Sequence, residues 1–203
     1  MKEMLKNAGI LIAITLIAGL ILGLVYQTTK DTIALREEED KKAAYLEVFA
    51  DASDFEEMED VMGIANRTLL DEAGYEAENI DELLVAKDSS GAPVGYVFTV
   101  TTKEGYGGDI TFTVGIRNDG TVNGISILSI SETAGLGMNA EKVLKPQFAG
   151  KNVPLFTYTK TGATTDSEID AISGATITTN AFTNGVNCAL TYFEDVLGGG
   201  ANE

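Results

Sequence analysis

The chain has 203 residues, enough for one membrane segment and one globular domain with its own core. Beyond the first thirty residues it carries 11 basic and 30 acidic residues, a net charge of −19 that excludes nucleic acid as a partner. Histidine is absent and Cys188 is the only cysteine, which removes the commonest general base, a CxxC pair and an Fe–S ligand set, so any electron traffic falls to an organic cofactor.

From Ala8 to Tyr26 run nineteen uncharged residues rich in Ile and Leu, enough to cross about 30 Å of hydrocarbon as a helix. No small-x-small cleavage site and no lipobox cysteine follows, so residues 1–30 are expected to be a short tail and a retained single-pass anchor. Gly19 and Gly23 form a small-xxx-small pair that admits a neighbouring helix, although glycine is common in such spans anyway. Lys2 and Lys6 precede the span and Lys30, Arg36, Lys41 and Lys42 follow it, so charge alone leaves the orientation open.

Residues 31–80 read as a helical connector. Asp31 to Ala50 continues the helix, with Glu37/Lys41 and Glu38/Lys42 at i,i+4 and an apolar face beginning at Ala44, Leu46, Val48 and Phe49. Phe55 to Ala65 shows a second, shorter helical pattern, and the acidic run across both is a solvated face, not a metal site. Residues 81–197 read as one domain, the cofactor-binding one, and strand patterns open it. Leu83–Ala86 and Tyr96–Thr102 flank the turn-rich Asp88–Pro93, and Ile110–Ile116 and Val122–Ile130 flank Asn118-Asp119-Gly120. Phe182, Val186, Ala189/Leu190, Phe193 and Leu197 recur at helical spacing, predicting a last helix of about twenty residues stopped at Gly198-Gly199-Gly200. Residues 198–203 read as a flexible tail. The order predicts an α+β fold: an antiparallel sheet with flanking helices behind a single membrane helix.

Just before the last helix stands Asp170-Ala-Ile-Ser-Gly-Ala-Thr176-Ile-Thr-Thr. Ser173, Thr176, Thr178 and Thr179 put hydroxyls at a helix N-terminus, where unpaired N–H groups and the helix dipole favour a phosphate. Gly174 and Ala175 leave room for a bulky group. An ordinary Ser/Thr N-cap explains the same composition, and the residues alone leave both readings open.

The pattern Asp-x-x-Ser-Gly-Ala-Thr resembles the flavinylation motif of the FMN-binding domains of RnfG and NqrC, subunits of the Rnf and Na⁺-translocating NADH:quinone reductase complexes. The resemblance implies FMN attached through its phosphate to Thr176, with Asp170 as part of the flavinylation signal. Ser131-Glu-Thr-Ala-Gly-Leu-Gly137 is similar to the family's flavin-lining loop, with Ala134 where proline is usual; it adds Glu132, Thr133, Gly135, Leu136 and Gly137 to the candidate cofactor residues. Gly105-Tyr-Gly-Gly108 is a third match and adds Tyr106 and Gly107. Anchor and length favour the RnfG branch.

Thr161-Gly-Ala-Thr164 repeats part of the motif, but Tyr158 stands where the aspartate should be and no amphipathic helix follows. Thr176 is therefore the expected address. A threonine hydroxyl needs activation, and Asp170 is the one candidate base nearby. The resemblance implies a separate flavin transferase with FAD as donor. It further implies an electron-relay subunit without a complete active site of its own, working among the membrane and peripheral subunits of the Rnf complex, with its domain outside the cytoplasm. No Gly-x-Gly-x-x-Gly in a βαβ setting would bind NAD. An anchored FMN carrier outside any ion pump, and a non-redox anchored binding module, are the alternatives.

Overall fold

A computed structural model describes residues 1–59 and 63–199. The chain divides into two compact units, Met1–Lys42 and Ala43–Glu203. Helix α1 (Lys2–Val48) is unbroken through the apolar span and the charged stretch that follows. Its most apolar 18-residue window has a mean hydropathy of 2.7 with none of it buried, which fits a single-pass membrane anchor. Thr15, Thr28 and Thr29 turn their hydroxyls onto carbonyls within the helix at 2.9 Å, the internal satisfaction that hydrocarbon demands. Farther on, Lys42 pairs with Glu38 at 2.7 Å, one of the two predicted i,i+4 pairs.

The second unit is organised on a five-stranded antiparallel meander: β1 (Asp54–Glu57), β2 (Glu78–Lys87), β3 (Pro93–Thr102), β4 (Ile110–Arg117) and β5 (Val122–Ser129), in that spatial order. Period-2 alternation gives the sheet two apolar faces. Leu83 and Phe98, paired across β2 and β3, belong to the larger core, while Leu84 and Val97, the neighbouring pair, belong to a smaller one. The turns are closed as their residues predict. Asp88 accepts from the Ser90 and Ala92 N–H groups at 2.8 and 3.0 Å, and Asp119 accepts from the Thr121 N–H at 2.9 Å.

Helix α5 (Thr176–Asp195) covers the larger face, burying Phe182, Val186, Ala189, Leu190 and Phe193 as their spacing requires. Gly185 lets it approach β4 closely: a Cβ there would stand 2.6 Å from Phe112 Cζ. The smaller face is covered by the end of α1 and the residue after it. Tyr45, Val48 and Phe49 are buried, whereas Leu46, expected on the apolar face, is exposed. Tyr45 takes its place, donating to Glu82 Oε2 at 2.5 Å.

The helix expected at Phe55–Ala65 is not seen at residues 55–59, and residues 60–62 of that prediction lie outside the described residues. Asp54–Glu57 is the edge strand β1, and the short helix α2 (Ile64–Glu72) begins almost where the predicted one would end. Phe55 packs on the smaller core while Glu56 and Glu57 stay in solvent, the charged edge that discourages further strand pairing. Residues 31–80 thus hold the end of α1, β1, α2 and the first residues of β2, not helix alone. Two short helical turns, α3 (Ala140–Val143) and α4 (Lys145–Phe148), and a two-stranded parallel ribbon of β6 (Thr157–Thr159) and β7 (Glu168–Asp170) were not legible in the sequence. Of the predicted tail, Gly200–Glu203 lie outside the described residues.

Candidate functional site

Three loops converge at the N-terminal end of α5: residues 105–108 between β3 and β4, residues 131–137 after β5, and residues 173–175 leading into the helix. Glu132 joins them. It is 9% exposed, and its two oxygens accept from the Gly107 N–H at 3.1 Å and from Thr178 Oγ1 at 2.9 Å. Gly137 has to be small, because a Cβ there would stand 2.5 Å from Thr178 Oγ1 and 2.7 Å from Glu132 Oε2. Gly174 turns the chain into the helix with φ +78°, a conformation that glycine adopts without strain.

The result is a cleft of about 500 Å³ lined by Tyr106, Glu132, Thr133, Leu136, Gly137 and the run Gly174–Thr178. That size lies within the ordinary range for a cofactor-sized ligand. Leu136 and Ile177, 40% and 51% exposed, give it an apolar mouth. Among the predicted residues, Gly107 stands behind the cleft as a donor to Glu132, and Ser173 and Gly135 do not line it. Asp170 is also outside. It is exposed, and its carboxylate accepts the Ala163 N–H at 2.5 Å, tying the 161–164 loop to β7.

The hydroxyls near the helix start have different fates. Thr178 Oγ1 is committed to Glu132. Thr179 Oγ1 donates to the Ala175 carbonyl at 2.9 Å and accepts from the Ile172 N–H at 3.1 Å. Thr176 is the first residue of α5, partly exposed, and its hydroxyl makes no hydrogen bond among the described residues. No side chain caps the helix either, so its first N–H groups still face the cleft end. By contrast, the N–H and hydroxyl of Thr164, in the partial repeat, both donate to Glu168 Oε2 at 2.6 and 2.8 Å. Those bonds hold the Glu168 carboxyl below its usual range.

Sequence reasoning missed a second cleft of about 420 Å³ on the other side of Thr176, lined by Glu104, Tyr158, Thr176, Ile177 and Asn180. Glu104 Oε2 accepts from Asn180 and Asn184 at 3.0 and 2.7 Å. The available signal was spacing: Thr176, Asn180 and Asn184 fall one turn apart on one helix face.

Comparison with known proteins agrees with this layout. The sequence model of the FMN-binding domain matches residues 105–191, and that of the RnfG N-terminal region matches residues 1–48. The G subunit of the Na⁺-translocating ferredoxin:NAD⁺ oxidoreductase complex of Acetobacterium woodii is 34% identical over 96% of this chain and 94% of its own length. The chain belongs to the RnfG family. A second relative, the G subunit of the ion-translocating oxidoreductase complex of Methanosarcina acetivorans, is 31% identical over 94% of this chain and 95% of its own length. A crystal structure of Shewanella oneidensis NqrC has a TM-score of 0.47 at 19% identity, covering 58% of this chain and 61% of that one. Both family models fall on segments already picked out by residue pattern: the anchor helix, and the stretch from the 105–108 loop into α5.

Proposed function

We propose that this chain relays electrons within an ion-translocating ferredoxin:NAD⁺ oxidoreductase complex, through an FMN joined by its phosphate to Thr176 Oγ1. The observation that carries the reading is the Thr176 hydroxyl, without a hydrogen bond among the described residues, at the mouth of a cleft built from three separate loops. The group, when bound, supplies an isoalloxazine ring able to accept and release one or two electrons. The chain's own residues do the rest. The first N–H groups of α5 and its dipole lie where the phosphate charge would be. Tyr106, Thr133, Leu136 and Ile177 wall the cleft and exclude water, while Glu132 holds the 105–108 loop against α5.

Attachment is assigned to a separate flavin transferase with FAD as donor. The Thr176 oxygen forms a new bond to the FMN phosphorus, the pyrophosphate bond of FAD breaks, and AMP departs. The hydroxyl proton passes to a base of the transferase, since this cleft offers no histidine. The remaining subunits of the complex supply the electron donor, the acceptor and the ion path.

Co-expression with such a transferase, followed by ultraviolet fluorescence of the denatured band and intact mass, tests the address. Thr176→Ala is expected to abolish the covalent flavin. Thr164→Ala is expected to retain it. A fluorescent Thr176→Ala band would overturn the assignment.

A further inference from the structure

The two clefts that meet at Thr176 have an unusual charge balance. Each is lined by one carboxylate, Glu132 in the larger and Glu104 in the smaller, and no lysine or arginine lines either. No ion pair among the described residues involves Glu132 or Glu104. Glu132 is held by one backbone N–H and one hydroxyl, and Glu104 by two side-chain amides. These donors fix the carboxylates without neutralising them.

We infer that Glu132, with a smaller contribution from Glu104, holds the bound flavin at a low reduction potential by keeping the surroundings of Thr176 anionic. This rests on the flavin reading above. Electrons that enter the ring with fewer protons than electrons add negative charge, and a buried negative neighbour opposes that addition. Glu132 weighs more because it is buried against the cleft wall, where water screens it little, whereas Glu104 is only partly buried. A low potential suits a relay that passes electrons onward and does not trap them. Glu132 is thus a positioning residue for the loops and an electrostatic one for the cofactor, and the two roles are separable by substitution.

Glu132→Gln keeps the shape and an acceptor for the Gly107 N–H but removes the charge. Thr178→Val removes a hydrogen bond to Glu132 but leaves the charge in place. In the full-length flavinylated protein, anaerobic titration with dithionite and reference dyes reads the potential. Glu132→Gln is expected to shift the oxidised-to-reduced ratio at a fixed potential at least tenfold towards the reduced form, about 30 mV for a two-electron couple. Glu104→Gln should move it in the same direction by less, and Thr178→Val should not move it upward. Unchanged potentials in both glutamine variants, or an equal upward shift in Thr178→Val, would overturn the inference. Should Glu132→Gln fail to fold or take up flavin, an unchanged potential in Glu104→Gln alone overturns it. Absence of flavin from the parent protein would instead defeat the underlying reading, so the two failures are distinguishable.

Discussion

Asp170 holds a loop in the fold, and we propose that its charge is also part of a modification signal. Its carboxylate accepts the Ala163 N–H at 2.5 Å, and its backbone N–H donates to Gln147 Oε1 at 2.7 Å. Asp170→Asn keeps an acceptor for Ala163 and loses only the charge. If the charge is what the transferase recognises, circular dichroism should be unchanged while the flavin-to-protein absorbance ratio falls about tenfold, the effect of roughly 1.4 kcal/mol. Full occupancy would leave Asp170 with the loop alone. Glu78 is a different case, since it is buried, with Thr102 Oγ1 donating to its carboxylate at 3.0 Å. Burial raises its carboxyl above the usual range, and the Thr102 bond only partly offsets this. An acid raised in the fold binds protons more tightly there than in the unfolded chain. Its contribution to stability is complete below the unfolded value and is lost as pH rises through the folded one. Glu78→Gln keeps the Thr102 acceptor, so it should gain stability relative to the parent as pH goes from about 4 to about 8. Urea midpoints at the two pH values check this, and a parallel loss in both proteins would refute it.

The end of α1 and the sheet it covers form the element most exposed to single changes. Phe49 is fully buried in a notch that two glycines create: a Cβ on Gly95 would stand 2.5 Å from Phe49 Cζ, and one on Gly115 would stand 2.9 Å from Val48 Cβ. The Arg117 guanidinium lies 5.7 Å over the Phe49 ring, and Asn123 donates to the Val48 carbonyl. Phe49→Ala should therefore cost about 3–5 kcal/mol in urea unfolding, and Gly95→Ala about 1–3 kcal/mol through overpacking. A fragment starting at Ala43 should fold cooperatively, whereas one starting at Ser53 should not; matching transitions in the two would remove this role for α1. Such contacts explain what the sequence could reveal. Strands β2 to β5 were legible because alternation and turn residues agree at Asp88–Ala92 and Asp119-Gly120. β1 was not, because it is only four residues long and its Phe55 falls at helical spacing with Met58 just beyond it. The parallel ribbon has three residues per strand and an exposed Tyr158, too little pattern to read. At the site, the three motifs were legible but the state of each hydroxyl was not. Only the folded structure reveals that Thr178 and Thr179 are engaged while the Thr176 hydroxyl makes no hydrogen bond among the described residues.

The charges flanking the span and those on the second unit both bear on which side of the membrane receives that unit. Lys2 and Lys6 on one flank of the span face Lys30, Arg36, Lys41 and Lys42 on the other, so the positive-inside rule does not decide it. Large domains cross largely regardless of charge. Within the second unit, Arg67, Lys87, Arg117, Lys145 and Lys151 are each paired with a carboxylate. Few cations are left to hold an acidic domain at an anionic cytoplasmic leaflet, where attraction requires clustered lysine and arginine. Together with the family resemblance, this leads us to propose a short inner N-terminus and a domain outside the cytoplasm. Electrons from a cytoplasmic donor would then have to cross the bilayer through other subunits before reaching Thr176. Protease added to intact spheroplasts should digest the domain and spare a membrane-embedded fragment carrying the Ala8–Tyr26 span. Survival of the domain in spheroplasts, with digestion in inverted vesicles, would reverse the topology and remove the need for a transmembrane electron path to this flavin.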